Sequence, residues 1–363
     1  MSLRPKQGIA RLRNCPHGGI NHAELKALGL KPDEVLDFSV CTNPFMPPPG
    51  IKEMLRTIPI EQYPDSEATE FRQELAAYLG VPAENILAGN GTTELIRLIA
   101  MTYFRKGELA LFLEPTYGDY EVACRLANMK LVRYRAKEED TFAPEIADFT
   151  DLIREHRPRA VFICNPNNPT GKYLSRRDIE MVLDNIRDSL LILDEAYIAF
   201  VAKSWNSFDL TSRGNVVILR SMTKDYGLPG LRLGYAVAHR EIIDNLRRVC
   251  PPWNVNIIAQ KAGMAVLDNM EYLKRSLLQI QEAKRFLIAA LSRLGYQVLP
   301  SDAHYFLVRV GNARKFRDSL LKYGMLVRDG TSLGLPEYVR IAPRTLPECQ
   351  KLIAAIGSIS PNR

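Results

Sequence analysis

The feature that most constrains this chain is a series of seven short strand-like runs, each ending in a polar loop. They fall at 86–88, 109–113, 130–134, 160–164, 190–193, 216–219 and 234–238. Several, such as AVFIC at 160–164 and LLIL at 190–193, are apolar without alternation. A strand covered on both faces requires that pattern. Stretches with helical spacing precede the first run, at 68–79, and lie between later ones, at 93–104, 118–126, 149–155 and 176–188. The expected class is α/β, a three-layer arrangement around a seven-stranded, mainly parallel sheet. One long helical stretch follows at 256–294. Strand-like pieces at 305–310 and 338–341 and helices at 313–323 and 346–356 then indicate a smaller α+β domain. The first forty-odd residues read as irregular apart from a helical stretch at 21–28, and a proline cluster at 43–50 blocks regular structure. The expected organisation is an arm at 1–45 that joins the small domain, a large domain at 46–258 and a small domain at 259–363.

Composition removes several classes. The chain has 363 residues, 46% apolar and 25% charged, which excludes a disordered chain, a collagen and a disulfide scaffold. Its 48 Lys and Arg exceed its 41 Asp and Glu by seven. These cations are interleaved with acids, as in EAKRF and RRDIE, so no nucleic-acid stripe forms and only a mild bias toward small anions remains. The six cysteines, at 15, 41, 124, 164, 250 and 349, form no C-x-x-C and no metal-ligand spacing. No apolar signal segment opens the chain, and no run reaches membrane-spanning length. The expectation is a cytoplasmic protein with reduced thiols, no metal, and no nucleic-acid or membrane partner.

In open α/β sheets ligands bind beyond the carboxyl ends of the strands, so the loops there matter most. GNGTTE, with Asn90, Gly91 and Thr92, opens a helix and offers free backbone N–H groups to an anion. NPNNPTG is a rigid turn that fixes Asn165 at a strand end. DEAY places Asp194 at the end of a buried strand, where it needs a cation, and Tyr197 three residues on. RSMTKDYGLPGLRLGY holds Ser221, Thr223, Lys224 and Arg232. One cofactor accounts for all four loops. Pyridoxal 5'-phosphate needs a lysine to hold its aldehyde, an acid to keep its ring nitrogen protonated, hydrogen bonds to its phenolic oxygen, and a phosphate nest. Lys224 and Asp194 supply the first two. Tyr197 and Asn165 can reach the phenolic oxygen. Asn90, Gly91, Thr92, Ser221, Thr223 and Arg232 fall where the phosphate nest is needed.

In this order the motifs resemble fold-type I pyridoxal-phosphate enzymes, in the branch of histidinol-phosphate aminotransferases and threonine-phosphate decarboxylases. The resemblance runs from about residue 17 to about residue 355. It implies an aminotransferase-like fold and a homodimer with shared active sites. In it Tyr63, of QYPD, reaches the partner's cofactor phosphate, and Tyr117, of EPTYGDY, stacks on the cofactor ring.

Three segments draw the resemblance toward the decarboxylases: His17 and Gly18 in HGG, the PPWNVN segment at 251–256, and the threonine before Lys224 with the proline before Gly-Leu. Arg340, in YVRIAP, matches the arginine that binds the substrate carboxylate, and Arg328 matches a second substrate arginine. Two guanidinium groups suit a substrate with both carboxylate and phosphate. Asn165 and Asn43 also fall to the substrate side. Cys41, in DFSVCTNP, stands where the family carries asparagine, and His304 replaces another asparagine; the expected role of His304 is packing. The expected activity is decarboxylation of L-threonine O-3-phosphate to (R)-1-aminopropan-2-ol O-phosphate for cobalamin biosynthesis. The alternative is a histidinol-phosphate aminotransferase or a related class I/II aminotransferase. A non-catalytic regulator is disfavoured, because the fold-like region begins within the first forty residues.

Overall fold

The structure is a computed structural model that describes residues 9, 12 and 16–359. Its centre is a seven-stranded sheet. In spatial order the strands are Ile86–Gly89, Gly234–Ala238, Val216–Ser221, Leu190–Asp194, Ala160–Cys164, Leu109–Glu114 and Lys130–Arg135. All seven anticipated runs are present. The sheet is mixed: Gly234–Ala238 runs antiparallel to both of its neighbours, and the other pairings are parallel.

The unbroken apolar runs follow from burial on both faces. Leu111, Val161, Ile163, Leu191, Leu193, Val216 and Ile218 face one core, which holds residues from helices Thr69–Leu79, Ile146–His156, Arg176–Asn185 and Ile257–Leu267. The alternate residues Ala110, Phe112, Ala160, Phe162, Ile192, Val217 and Leu219 face a second core, under helices Gly91–Tyr103, Asp119–Leu126 and Arg240–Val249. A third core lies at the C-terminal end. There the antiparallel strands Arg328–Asp329, Tyr338–Ile341, Phe306–Arg309 and Gln297–Val298 pack against helices Met270–Arg293, Ala313–Leu321 and Leu346–Ile359. Leu36–Asp37, from the N-terminal arm, pairs in parallel with Met325–Leu326.

Three features differ from expectation. The long helix at 256–294 is two helices, Ile257–Leu267 and Met270–Arg293. Asn269 separates them and donates its side-chain amide to the Ala265 carbonyl at 2.9 Å, the kind of local bond that draws Asn to helix ends. Arg240–Val249 is a further helix, with Ile242, Ile243 and Leu246 on its buried face. A five-residue helix, Ile51–Leu55, begins directly after the proline cluster. The five described cysteines are free, and Cys15 lies outside the described residues. Among the described residues no helix is long and apolar enough to cross a membrane.

Candidate active site

Leu109–Glu114 has Lys130–Arg135 on one side and Ala160–Cys164 on the other. The chain therefore reverses its direction of progress across the sheet there, which is where α/β sheets open a crevice. Asn167 joins the two loops at this point: its amide donates to the Pro115 carbonyl at 2.8 Å, and it accepts from the Thr116 hydroxyl at 2.9 Å. Above them lies a cavity of about 310 Å³, lined by His17, Gly18, Ser39, Cys41, Thr93, Tyr117, Asn168, Tyr197, Lys224, Arg232, Arg328 and Arg340, among others.

Asp194 ends its strand beneath this cavity and is buried. One carboxylate oxygen accepts from the Tyr120 hydroxyl at 2.7 Å and the other from the Ala196 N–H at 3.0 Å. Burial pushes its carboxyl up to about 6, against the pull of those hydrogen bonds. Tyr120 is a site residue that sequence reasoning missed. It sits one position beyond Asp119 in the same EPTYGDY segment that drew attention to Tyr117, and its ring stacks on Phe162 at 5.1 Å. The Tyr117 hydroxyl donates to Asp119 at 2.6 Å. Tyr197 lines the cavity wall, with the Lys224 ammonium 5.7 Å from its ring centre. Burial lowers the pKa of Lys224, and the Arg340 and Arg232 guanidinium groups push it the same way. A lysine so placed loses its proton more readily than one in water.

The geometry fits the phosphate end of pyridoxal phosphate. Helix Gly91–Tyr103 starts at Gly91 with no side-chain cap from Asn90, so its first N–H groups remain available. Gly91 has φ 73°, and a Cβ there would lie 2.6 Å from Arg232 Nη2. The guanidinium thus occupies space that only glycine leaves open. A Cβ on Gly234 would lie 2.9 Å from the Thr92 nitrogen, so that strand also approaches the helix start without a side chain. The Ser221 and Thr223 hydroxyls are 2.8 Å apart and buried. Asn90 is exposed, and its N–H is bonded to Glu94 at 2.7 Å.

On the substrate side, Arg340 is buried and joins three parts of the chain. It lies on strand Tyr338–Ile341, donates through Nη1 to the Asn168 side chain and through Nη2 to the Ser39 carbonyl at 2.7 Å, and has a buried Nε without a partner. Arg328 donates to Ser332 at 2.7 Å and to the Pro16 carbonyl. His17 approaches Asp119 at 3.6 Å. Gly18 lies against Ser39, whose carbonyl oxygen would be 2.5 Å from an added Cβ. Cys41 is buried, and burial raises its thiol pKa, so it lines the wall as a neutral group.

Two asparagines stand elsewhere than expected. Asn165 is fully buried, with its amide paired to the Leu174 backbone through bonds of 2.7 and 3.2 Å; it closes its own loop and does not line the cavity. Asn168, three residues on, takes the place at the wall. Asn43 is buried beneath the lysine loop, and its side chain is spent on Asp225, Ser276 and Phe45. Tyr63 lies away from this cavity, exposed and stacked on Trp253 at 4.5 Å. His304 is packed face to face on Phe200 at 3.6 Å, behind Tyr197.

A lysine, a buried carboxylate and a glycine-opened helix at the carboxyl edge of this sheet define an enzyme of aminotransferase fold type I. The chain belongs to the aminotransferase class I and II family, whose model matches residues 33–356. A histidinol-phosphate aminotransferase from Moorella thermoacetica is 33% identical to it over 342 residues, 92% of this chain and 87% of that one. The structure of a histidinol-phosphate aminotransferase from Sinorhizobium meliloti in complex with pyridoxal-5'-phosphate has the same fold. Its TM-score is 0.88 over 99% of both chains, at 21% identity. An L-threonine-O-3-phosphate decarboxylase from Porphyromonas gingivalis is also a structural neighbour, 30% identical with a TM-score of 0.78, over 89% of this chain and 98% of that one.

These relatives correct the expected activity. Curated relatives from several organisms, 32 to 34% identical, are histidinol-phosphate aminotransferases, and they favour that alternative over threonine-phosphate decarboxylation. The expected tie to cobalamin biosynthesis falls with it. The physical reason is that most of the motifs serve the cofactor, which both reactions share. The PPWNVN segment, used to separate the two, packs through Trp253 on Tyr63, a residue expected to serve the cofactor phosphate, so it does not report on the substrate.

Proposed function

We propose that the protein is a pyridoxal-phosphate-dependent aminotransferase that takes its amino group from a phosphorylated amine of the histidinol phosphate type. The cofactor part of this reading is carried by the convergence of Lys224, Tyr197, Arg232 and Arg340 on one cavity near the buried Asp194; amino transfer rather than decarboxylation is supported by the histidinol-phosphate aminotransferase relatives. When bound, pyridoxal phosphate supplies an aldehyde for amines and a ring that accepts electrons. Lys224 would hold the cofactor through Nζ, and the same Nζ could carry a proton to and from the substrate; its lowered pKa suits that exchange. Asp194, fixed by Tyr120 and the Ala196 N–H, would supply the anion that keeps the ring nitrogen protonated. The N-terminus of helix Gly91–Tyr103, with Arg232, would hold the cofactor phosphate. Arg340 orients the second anion. An aminotransferase admits a phosphorylated amine and an oxo acid by turns, and a guanidinium forks equally well onto phosphate and carboxylate. The family's dimeric habit gives Tyr63 its use, toward the partner's cofactor phosphate.

The test has two arms. Histidinol phosphate added alone to the loaded enzyme converts the cofactor to its amine form, one equivalent per site, seen by absorbance. Adding 2-oxoglutarate then yields glutamate and restores the aldehyde form. Absence of both changes overturns the proposal. Lys224→Ala removes the visible band and the turnover.

A further inference from the structure

The structure assigns Asn43 a role outside substrate contact: we propose that it is a positioning residue, clamping the backbone that carries Lys224. Lys224 lies three residues beyond the end of strand Val216–Ser221, in a turn with no helix or strand of its own. No sheet ladder fixes it. The N-terminal arm does so instead. The Asn43 N–H donates to the Lys224 carbonyl at 2.8 Å. Its side-chain Nδ2 donates to the Asp225 carbonyl at 3.0 Å and to Ser276 Oγ at 2.7 Å, and its Oδ1 accepts from the Phe45 N–H at 3.0 Å. Two successive carbonyls of the lysine loop are therefore held by one residue.

The anchor is firm on its other side as well. Ser276 is buried in helix Met270–Arg293, and its hydroxyl proton is spent on the Leu273 carbonyl at 2.7 Å. What it offers Asn43 is a lone pair. One turn earlier, Tyr272 donates to the Phe45 carbonyl at 2.8 Å. The loop also touches the residue directly after the arm: a Cβ on Gly227, at φ 61°, would lie 2.8 Å from the Met46 carbonyl oxygen. Every polar group of the Asn43 side chain has a protein partner, so none is left for substrate. The Lys224 side chain is long and flexible, and its Nζ can be aimed only if the main chain beneath it is fixed. An ångström of drift there changes a rate substantially.

The inference rests on Lys224 being the cofactor lysine, and the test separates the two. Asn43→Asp keeps the shape and the bond to Phe45 but sets an acceptor against the Asp225 carbonyl. Ser276→Ala removes the lone pair and leaves Asn43 in place. Each cofactor-free protein is mixed with pyridoxal 5'-phosphate and the visible band is followed over time and pH. Asn43→Asp is expected to slow capture about tenfold, and Ser276→Ala by a smaller factor. Ser276→Ala, which adds no charge, is also expected to shift the pH midpoint of the band, a quantity that a merely structural loss does not move. Wild-type capture rates in both variants and a wild-type midpoint in Ser276→Ala, even with a lowered melting temperature, overturn the clamp. If Asn43→Asp does not fold, Ser276→Ala alone decides. A visible band that persists in Lys224→Ala overturns the lysine assignment instead.

Discussion

Asp194 shows how a single side chain is tuned for a cation before the cation arrives. Among the described residues its carboxylate takes hydrogen bonds from a phenol and a backbone N–H, both neutral, and burial lifts its carboxyl from 3.8 to about 6. A carboxyl raised on folding stabilises the fold below its unfolded pKa, and that contribution is lost as pH rises through the folded value. Cofactor-free protein therefore carries a cost of about 3 kcal/mol from this group above pH about 6. Asp194→Asn removes the charge and keeps the size. Its cofactor-free form is expected to melt higher than the wild type at pH 8, with the difference gone near pH 4. Thermal melts across that range check this, and an equal or lower melting point at pH 8 refutes it. The same variant binds cofactor poorly, because the ring nitrogen loses its anion. At this scale the sequence was informative about which residue types were needed but not about which copy serves. Asn165 and Asn168 lie in one seven-residue turn. Only the folded turn reveals that the first pairs with Leu174 and the second meets Arg340.

Among the elements, helix Gly91–Tyr103 does the most chemical work, and its start depends on an absent side chain. Gly91→Ala forces a Cβ into a left-handed backbone and against Arg232. The expected result is a cofactor affinity weakened about tenfold or more, with Arg232 displaced. Absorbance titration measures it. If the effect runs through Arg232, Gly91→Ala adds little to Arg232→Ala in the double variant; full additivity refutes that route. Elements of this kind were legible because two-sided burial leaves unbroken apolar runs and a glycine turn punctuates the strand end. The misses have local causes. Arg240–Val249 carries five charges in ten residues, so its short buried stripe was overshadowed. The break at Asn269 was hidden because both flanking helices keep the same apolar spacing.

The whole molecule meets at Arg340. Its strand belongs to the small antiparallel sheet, Asn168 to a loop of the large sheet, and Ser39 to the N-terminal arm. Sequence patterning places such residues in separate elements and carries no signal for their meeting, since the partners are distant in the chain and no short-range spacing encodes them. A second seam holds the two sheets together nearby. Tyr338, two residues before Arg340, is buried and donates its hydroxyl to Glu138 at 2.6 Å, and Arg135 donates to the Gly334 carbonyl at 2.7 Å. Glu138 and Arg135 come from the large sheet's edge, so these bonds set how closely the strand bearing Arg340 is drawn over the cavity. Tyr338→Phe removes the bond to Glu138 and leaves the ring packed on Phe142. Glu138 is half-exposed, which keeps this bond near the ordinary range of about 0.5–1.5 kcal/mol, so its loss is expected to weaken substrate binding by a factor of about three to ten. In the proposed role Arg340 would grip substrate before and during the reaction alike, so the loss is expected in KM with kcat nearly unchanged. Steady-state kinetics with both substrates decides the point. A fall in kcat at constant KM would mean that the seam governs a step after binding, and unchanged kinetics with a lowered melting point would reduce it to a structural strut.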